Sequence, residues 1–171
     1  MLIRPFQSLL SKRLNELSPL SQVLIGRRQV GKTTALQAIQ KHYGPEKMVY
    51  VSADEVLVHP AEWIREQWKK TENVPTQAIL AIDEIQKVSN WSEIIKELWD
   101  RQSRNKKPQE RIKLVLLGSS SLELQKGLKE SLTGRFELIR AYHWDLLESQ
   151  KAYGLTVDQF LSYGGYPASY Q

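Results

Sequence analysis

The sequence predicts an α/β fold: a mostly parallel sheet, covered by helices on both faces in a three-layer αβα sandwich. Three observations predict it. Short, wholly apolar runs such as Val23-Leu24-Ile25, Ala78–Ile82 and Leu114–Leu117 have the length and composition of buried parallel strands. Longer amphipathic stretches separate these runs, so strands and helices alternate, the pattern of a sheet wrapped on both sides. A glycine-bounded turn, Gly26 to Gly31, leads directly from the first run into a helical stretch.

The elements follow in order. Phe6, Leu9, Leu10, Leu14 and Leu17 recur at helical spacing, and Pro19 stops that first helix. After the strand at Val23–Ile25 a helix runs from Lys32 to about Tyr43, with Ala35, Leu36 and Ile39 inward, and Gly44-Pro45 ends it. Met48–Ser52 reads as the second strand, and Pro60 opens a helix carrying Trp63, Ile64 and Trp68. Ala78–Ile82 is the third strand. Ser89-Asn90 is positioned to cap the next helix, whose stripe is Trp91, Ile94, Ile95, Leu98 and Trp99. Ile112–Leu117 is the fourth strand and Phe136–Tyr142 the fifth. Leu146, Leu147 and Tyr153, then Val157, Phe160 and Leu161, mark small terminal helices.

Composition narrows the function classes. The chain has 171 residues, 41% hydrophobic and 25% charged, enough for one ordinary domain with a core. No apolar run reaches membrane-spanning length, and the segment around Arg4, Pro5 and Gln7 carries no signal-peptide pattern, so a cytoplasmic protein is expected. With no cysteine, disulfides and thiolate metal sites are excluded. His42, His59 and His143 are scattered, which argues against a metal site built from protein ligands alone. The net charge of +5 is concentrated: residues 1–41 hold seven Lys/Arg and one acid, whereas residues 42–171 hold seventeen and eighteen. A general coat for gripping nucleic acid would be spread more widely.

The basic region surrounds Gly26-Arg27-Arg28-Gln29-Val30-Gly31-Lys32-Thr33, a full G-x-x-x-x-G-K-S/T match. The two glycines let the backbone turn so that successive N–H groups, through Thr34, face phosphate oxygens. Lys32 reaches the outer phosphates, Thr33 offers a hydroxyl to Mg²⁺, and the helix beginning there presents its positive end. This is a phosphate-binding P-loop, and its ligand is a nucleoside triphosphate. No N-K-x-D guanine motif occurs, so ATP is expected.

Ile79–Ile82 is followed by Asp83-Glu84. An apolar strand ending in acids is also a common plain strand exit, but the upstream loop gives this pair a partner. Asp83 is placed to hold the Mg²⁺ shell and Glu84 to activate water as a general base. Gln86, just beyond, is open between a surface residue and one that transmits nucleotide state. The fourth strand ends in Gly118-Ser119-Ser120-Ser121; Ser119 is expected to sense the phosphates, while Ser120 or Ser121 can also cap the next helix. The run Arg101, Arg104, Lys106, Lys107, Arg111 and Lys113 reads as a solvated loop, since no aromatic interleaves for nucleic-acid stacking. The five tryptophans, Trp144 included, are expected to pack as core.

GRRQVGKTT, AILAIDEIQ, LVLLGSSS, SLTGRFEL and YGGYP together resemble the AAA-type ATPase domain of a widespread prokaryotic family. Its members carry a C-terminal domain of uncharacterised function that is itself similar to restriction-nuclease folds. The resemblance implies a five-stranded sheet of order 5-1-4-3-2, the fourth strand lying beside the first, with Ser119 at the sensor position. It also makes Arg135, in Gly134-Arg135, a candidate for stabilising charge on the transferring phosphoryl group, a role equally matched by an idle exposed arginine. Residues 1–150 are then the ATPase domain and residues 151–171 the start of a linker toward a C-terminal domain missing from this chain.

The expected function is Mg²⁺-dependent ATP hydrolysis that switches an attached domain or partner, with a second copy of the chain among its partners. A nucleotide-binding interaction module with little turnover, or a DNA-linked ATPase, is the alternative. A small-molecule phosphotransferase lacks an acceptor motif here.

Overall fold

The computed structural model describes residues 3–55, 59–74, 77–119 and 122–170. Its elements are α1 (Pro5–Asn15), β1 (Ser21–Gly26), α2 (Lys32–Tyr43), β2 (Met48–Ser52), α3 (Pro60–Glu72), β3 (Ile79–Asp83), α4 (Trp91–Asn105), β4 (Lys113–Gly118), α5 (Leu122–Ser131), β5 (Phe136–Ala141), α6 (Leu146–Tyr153) and α7 (Val157–Tyr163). The five strands form one sheet in the order β2-β3-β4-β1-β5, and every pairing is parallel. Read from the other edge this is 5-1-4-3-2, the order the resemblance implies.

Alternation along each strand divides the interior into two cores. Val23, Ile25, Leu80, Ile82, Leu114 and Leu116 face α3, α4 and α5 through Ile64, Trp68, Ile95, Leu98 and Leu128. Leu24, Ile79, Ala81, Val115 and Leu117 face α1 and α2 through Phe6, Leu10, Leu36 and Ile39. Burial on both faces is why these strands read as continuous apolar runs rather than alternating ones. The result is a three-layer α/β sandwich of the P-loop NTPase type.

Several local expectations need correction. Leu9 is partly exposed and Leu17 lies beyond α1 in solvent, so that stripe is Phe6, Leu10 and Leu14. Asn90 does occupy the cap position of α4, but it adopts a left-handed φ of 57° and its side chain makes no capping hydrogen bond. The tryptophans divide: Trp68 and Trp91 are core, while Trp99 sits half-buried under the Arg135 guanidinium. Trp144 instead packs on the Arg4 guanidinium, 4.9 Å from its carbon to the ring centre. The basic run is partly tied down, Lys106 pairing with Glu72 at 3.2 Å and Arg111 donating to the carbonyls of Ser103 and Lys106. Among the described residues no helix is long and apolar enough to cross a membrane.

Candidate functional site

Parallel register brings the carboxyl ends of β1, β3 and β4 together, since Ile25 lies opposite Gly118 and Ile82 opposite Leu116. In open parallel sheets ligands bind outside this edge, where neighbouring strands send their connections to opposite faces. Here β1 leads to α2 on one face while its neighbour β4 leads to α5 on the other. The loop from Gly26 to Lys32 therefore opens at the switch point.

That loop is shaped by two left-handed residues, Gln29 at φ 63° and Gly31 at φ 91°, with Val30 between them fully buried as an anchor. Turning the backbone this way aims successive amides toward one concavity. A cavity of about 270 Å³ follows, lined by Arg28, Gln29, Gly31, Lys32, Thr33, Thr34 and Glu84. Gly26 is required for another reason: a Cβ there would stand 2.2 Å from the carbonyl oxygen of Ala141 on β5.

Lys32 is buried at the first turn of α2, and its Nζ donates to the carbonyls of Gly26 and Arg27, both at 2.8 Å. Burial holds its pKa below the usual lysine value. The carboxylates of Glu84 and Asp83 pull it back up, and the Arg28 charge adds to the lowering. An anion entering the cavity would favour the ammonium further and take over its hydrogen bonds. Arg28 forms no ion pair or hydrogen bond among the described residues, leaving a second cation at the cavity wall.

Asp83 is 5% exposed at the end of β3. Its Oδ2 accepts the Thr33 hydroxyl at 2.9 Å and the Tyr50 hydroxyl at 3.0 Å, and its Oδ1 accepts the Glu84 amide at 2.9 Å. The chain then kinks through Glu84, whose left-handed φ of 50° turns it toward the loop cavity. The donors gathered here are a hydroxyl and carboxylates, hard oxygen ligands that fit Mg²⁺. Among the described residues no cluster of three or more His, Asp or Glu could hold a metal by itself.

Ser119 lies just past β4, and its hydroxyl accepts from Gln86 Nε2 at 3.4 Å; the same nitrogen donates to Glu84 Oε2. Ser120 and Ser121 lie outside the described residues. Arg135 is not brought to the loop. It precedes β5 and so sits at the amino edge of the sheet, roughly 20 Å of strand away at ~3.3 Å per residue. There it forms a two-pronged ion pair with Asp100 at 2.8 and 3.2 Å and covers Trp99.

Sequence reasoning missed a second cavity, of about 660 Å³, on the other side of the loop. Arg4, Gln7, Gln29, Gly31, Thr34, Trp144 and Tyr153 are among its lining residues. Arg4 is the keystone between the two sides. Its Nη1 donates to the Val30 carbonyl at 2.6 Å, its Nη2 to the carbonyls of Tyr142 and His143, and Nε and Nη2 grip Glu148 at 3.0 and 2.8 Å. No motif advertises it, because its partners are backbone carbonyls and a glutamate 144 positions away. Tyr50 escaped notice for a similar reason: strand register sets it opposite Ala81, from where its hydroxyl reaches Asp83 two residues on.

Comparison with known proteins agrees with this geometry. An uncharacterised protein of Methanocaldococcus jannaschii is 32% identical over 117 residues, covering 67% of this chain and 24% of its own length. The chain thus spans about a quarter of that curated relative. Among solved structures, AMPPCP-bound DnaA from Aquifex aeolicus superposes with a TM-score of 0.60 at 19% identity, covering 99% of this chain and 60% of its own. The Thermotoga maritima RuvB Holliday junction branch migration motor gives 0.56 at 19% identity, covering 85% and 46%. At that identity the likeness concerns the fold. Residues 19–149 match the family model of the AAA domain, a span that holds the phosphate loop and both acids and all five strands; the chain belongs to the AAA domain family.

Proposed function

We propose that this domain binds ATP with Mg²⁺ and hydrolyses it, and that the nucleotide state is passed to an attached domain or partner. The observation that carries this reading is the hydrogen bond from Thr33 to Asp83 at the mouth of a loop cavity that Lys32 and Glu84 also line. The amides from Arg27 to Thr34 would cradle the phosphates, and Lys32 would exchange its loop carbonyls for the outer phosphate oxygens. Thr33 and Asp83 would hold Mg²⁺, directly and through water. The cation supplies charge neutralisation across the outer phosphates.

Glu84 would accept a proton from water as its oxygen attacks the terminal phosphorus, the bond from that phosphorus to the bridging oxygen breaks, and ADP departs. Ser119, beside Glu84 at the end of the neighbouring strand, would sense the terminal phosphate. The base belongs in the larger cavity, against Trp144 and Tyr153; the AMPPCP bound by the DnaA neighbour favours adenine. Arg135 reaches a phosphoryl group only on a neighbouring copy, because within its own chain it stands at the opposite edge of the sheet. The communicating segment is the one Arg4 clamps: α6 and the residues before it touch the loop directly through that guanidinium.

Substituting Glu84→Gln tests the hydrolytic step. Calorimetry should find ATP affinity within about twofold of wild type, while phosphate release slows by ~10²-fold or more, the usual weight of a general base. Unchanged release would remove Glu84 from the mechanism.

A further inference from the structure

Gln86 carries more contacts than a surface glutamine needs. Both N–H groups of its side-chain amide are used, one on Glu84 Oε2 and the other on the Ser119 hydroxyl at 3.4 Å. Its Oε1 is buried and has no hydrogen-bond partner among the described residues. Turning the amide over would set that oxygen against the Glu84 carboxylate, so the charge of Glu84 decides which way it points. The backbone makes room for it: a Cβ on Gly118 would come within 2.6 Å of Gln86 Oε1 and 2.7 Å of Leu124 Cδ2. Among the described residues the amide thus spends its nitrogen on Glu84 and Ser119 while its oxygen goes unpaired, an arrangement that gathers at functional sites.

We infer that Gln86 is a positioning residue for Glu84: its amide, tied to the next strand through Ser119 and seated over Gly118, holds one carboxylate oxygen so that the other serves the phosphate cavity. The inference rests on the proposed role of Glu84 in hydrolysis and deepens it. Glu84 is half-buried at the cavity wall, and Oε2 is taken by the amide while Oε1 has no partner among the described residues. A free glutamate samples several rotamers; one with a single oxygen fixed presents the other in a narrow range of directions. Because Ser119 follows β4 and Glu84 follows β3, the amide also makes the carboxylate's direction depend on the spacing of two strand ends. A phosphate approaching Ser119 would be felt at Glu84 through one side chain.

The test compares wild type, Gln86→Met, Glu84→Gln and the Gln86→Met/Glu84→Gln double variant, measuring MgATP affinity by calorimetry and phosphate release at saturating MgATP. Methionine keeps the length and volume of glutamine and removes both donors. The expected result is a kcat lower by about tenfold to a hundredfold in Gln86→Met, given what a misplacement of ~1 Å costs. ATP affinity should stay within about twofold, and Gln86→Met should cause no further loss when Glu84 is already Gln. A purely structural role would instead subtract the same factor in both backgrounds, which would overturn the inference, as would a Gln86→Met protein with wild-type kcat. If Gln86→Met does not fold, Ser119→Ala replaces it, with a smaller but likewise non-additive loss expected; additivity there also overturns the inference. Failure of the underlying reading looks different: Glu84→Gln then turns over ATP as wild type does, or wild type releases no phosphate.

Discussion

Burial holds the Lys32 ammonium in a place that water would suit better, and its pKa is lowered accordingly, even though two loop carbonyls accept its hydrogen bonds. The consequence for stability has a definite sign. In the unfolded chain this lysine keeps its proton up to about its ordinary value of 10.5, whereas the native state releases it earlier. Below 10.5 the unfolded chain therefore binds more protons, and the native state gains stability as pH rises through that window. Lys32→Met removes the effect; Lys113, also lowered by burial, is common to both proteins. Urea unfolding without nucleotide, followed from about pH 8 to about pH 10, should show wild type gaining on Lys32→Met. A wild type that loses ground would contradict the account. Lys32, Thr33 and Asp83 were legible in the sequence because spacing along the chain sets them: one loop, and one strand end. Tyr50 and Arg4 were not, since their partners come from strand register and long-range packing. Gln86 could be singled out by its place after the acids, but its grip on Glu84 and Ser119 needed a third strand end to be visible.

At the scale of elements, two glycines of the same loop do different work. Gly26 is where β1 passes β5 too closely for any side chain, its would-be Cβ meeting Ala141 backbone that cannot move without parting the strands. Gly31 has open space around that position but a left-handed φ of 91°. Gly26→Ala should then lose about 3 kcal/mol or more by overpacking, and Gly31→Ala only about 1–2 kcal/mol through strain. Equilibrium unfolding of the two variants measures both; a reversed order would mean that β1 and β5 can separate freely. The strand runs were readable because both faces of this sheet are buried, and the observed ends lie within two residues of the expected ones. Asn90 takes the expected cap position of α4, but without a side-chain capping hydrogen bond. Asparagine tolerates the left-handed region that Asn90 adopts here.

Across the whole molecule, parallel pairing separates the two ends of the sheet by function. The carboxyl edge gathers the loop, Asp83, Glu84, Gln86 and Ser119; the amino edge holds Arg135 in its pair with Asp100. A linear motif search sees all of these as equal candidates, and only topology says which can meet one nucleotide. The same topology brings α6 and the residues near Pro167 against the loop, forming the large cavity whose lining no motif announced. The proposed function rests on the loop being a triphosphate cradle. Calorimetric titration of wild type and Lys32→Met with MgATP tests that most directly: saturable binding by wild type, lost or weakened at least about tenfold in the variant, is the predicted result. Equal affinity in the two proteins, or no binding by wild type, would contradict it.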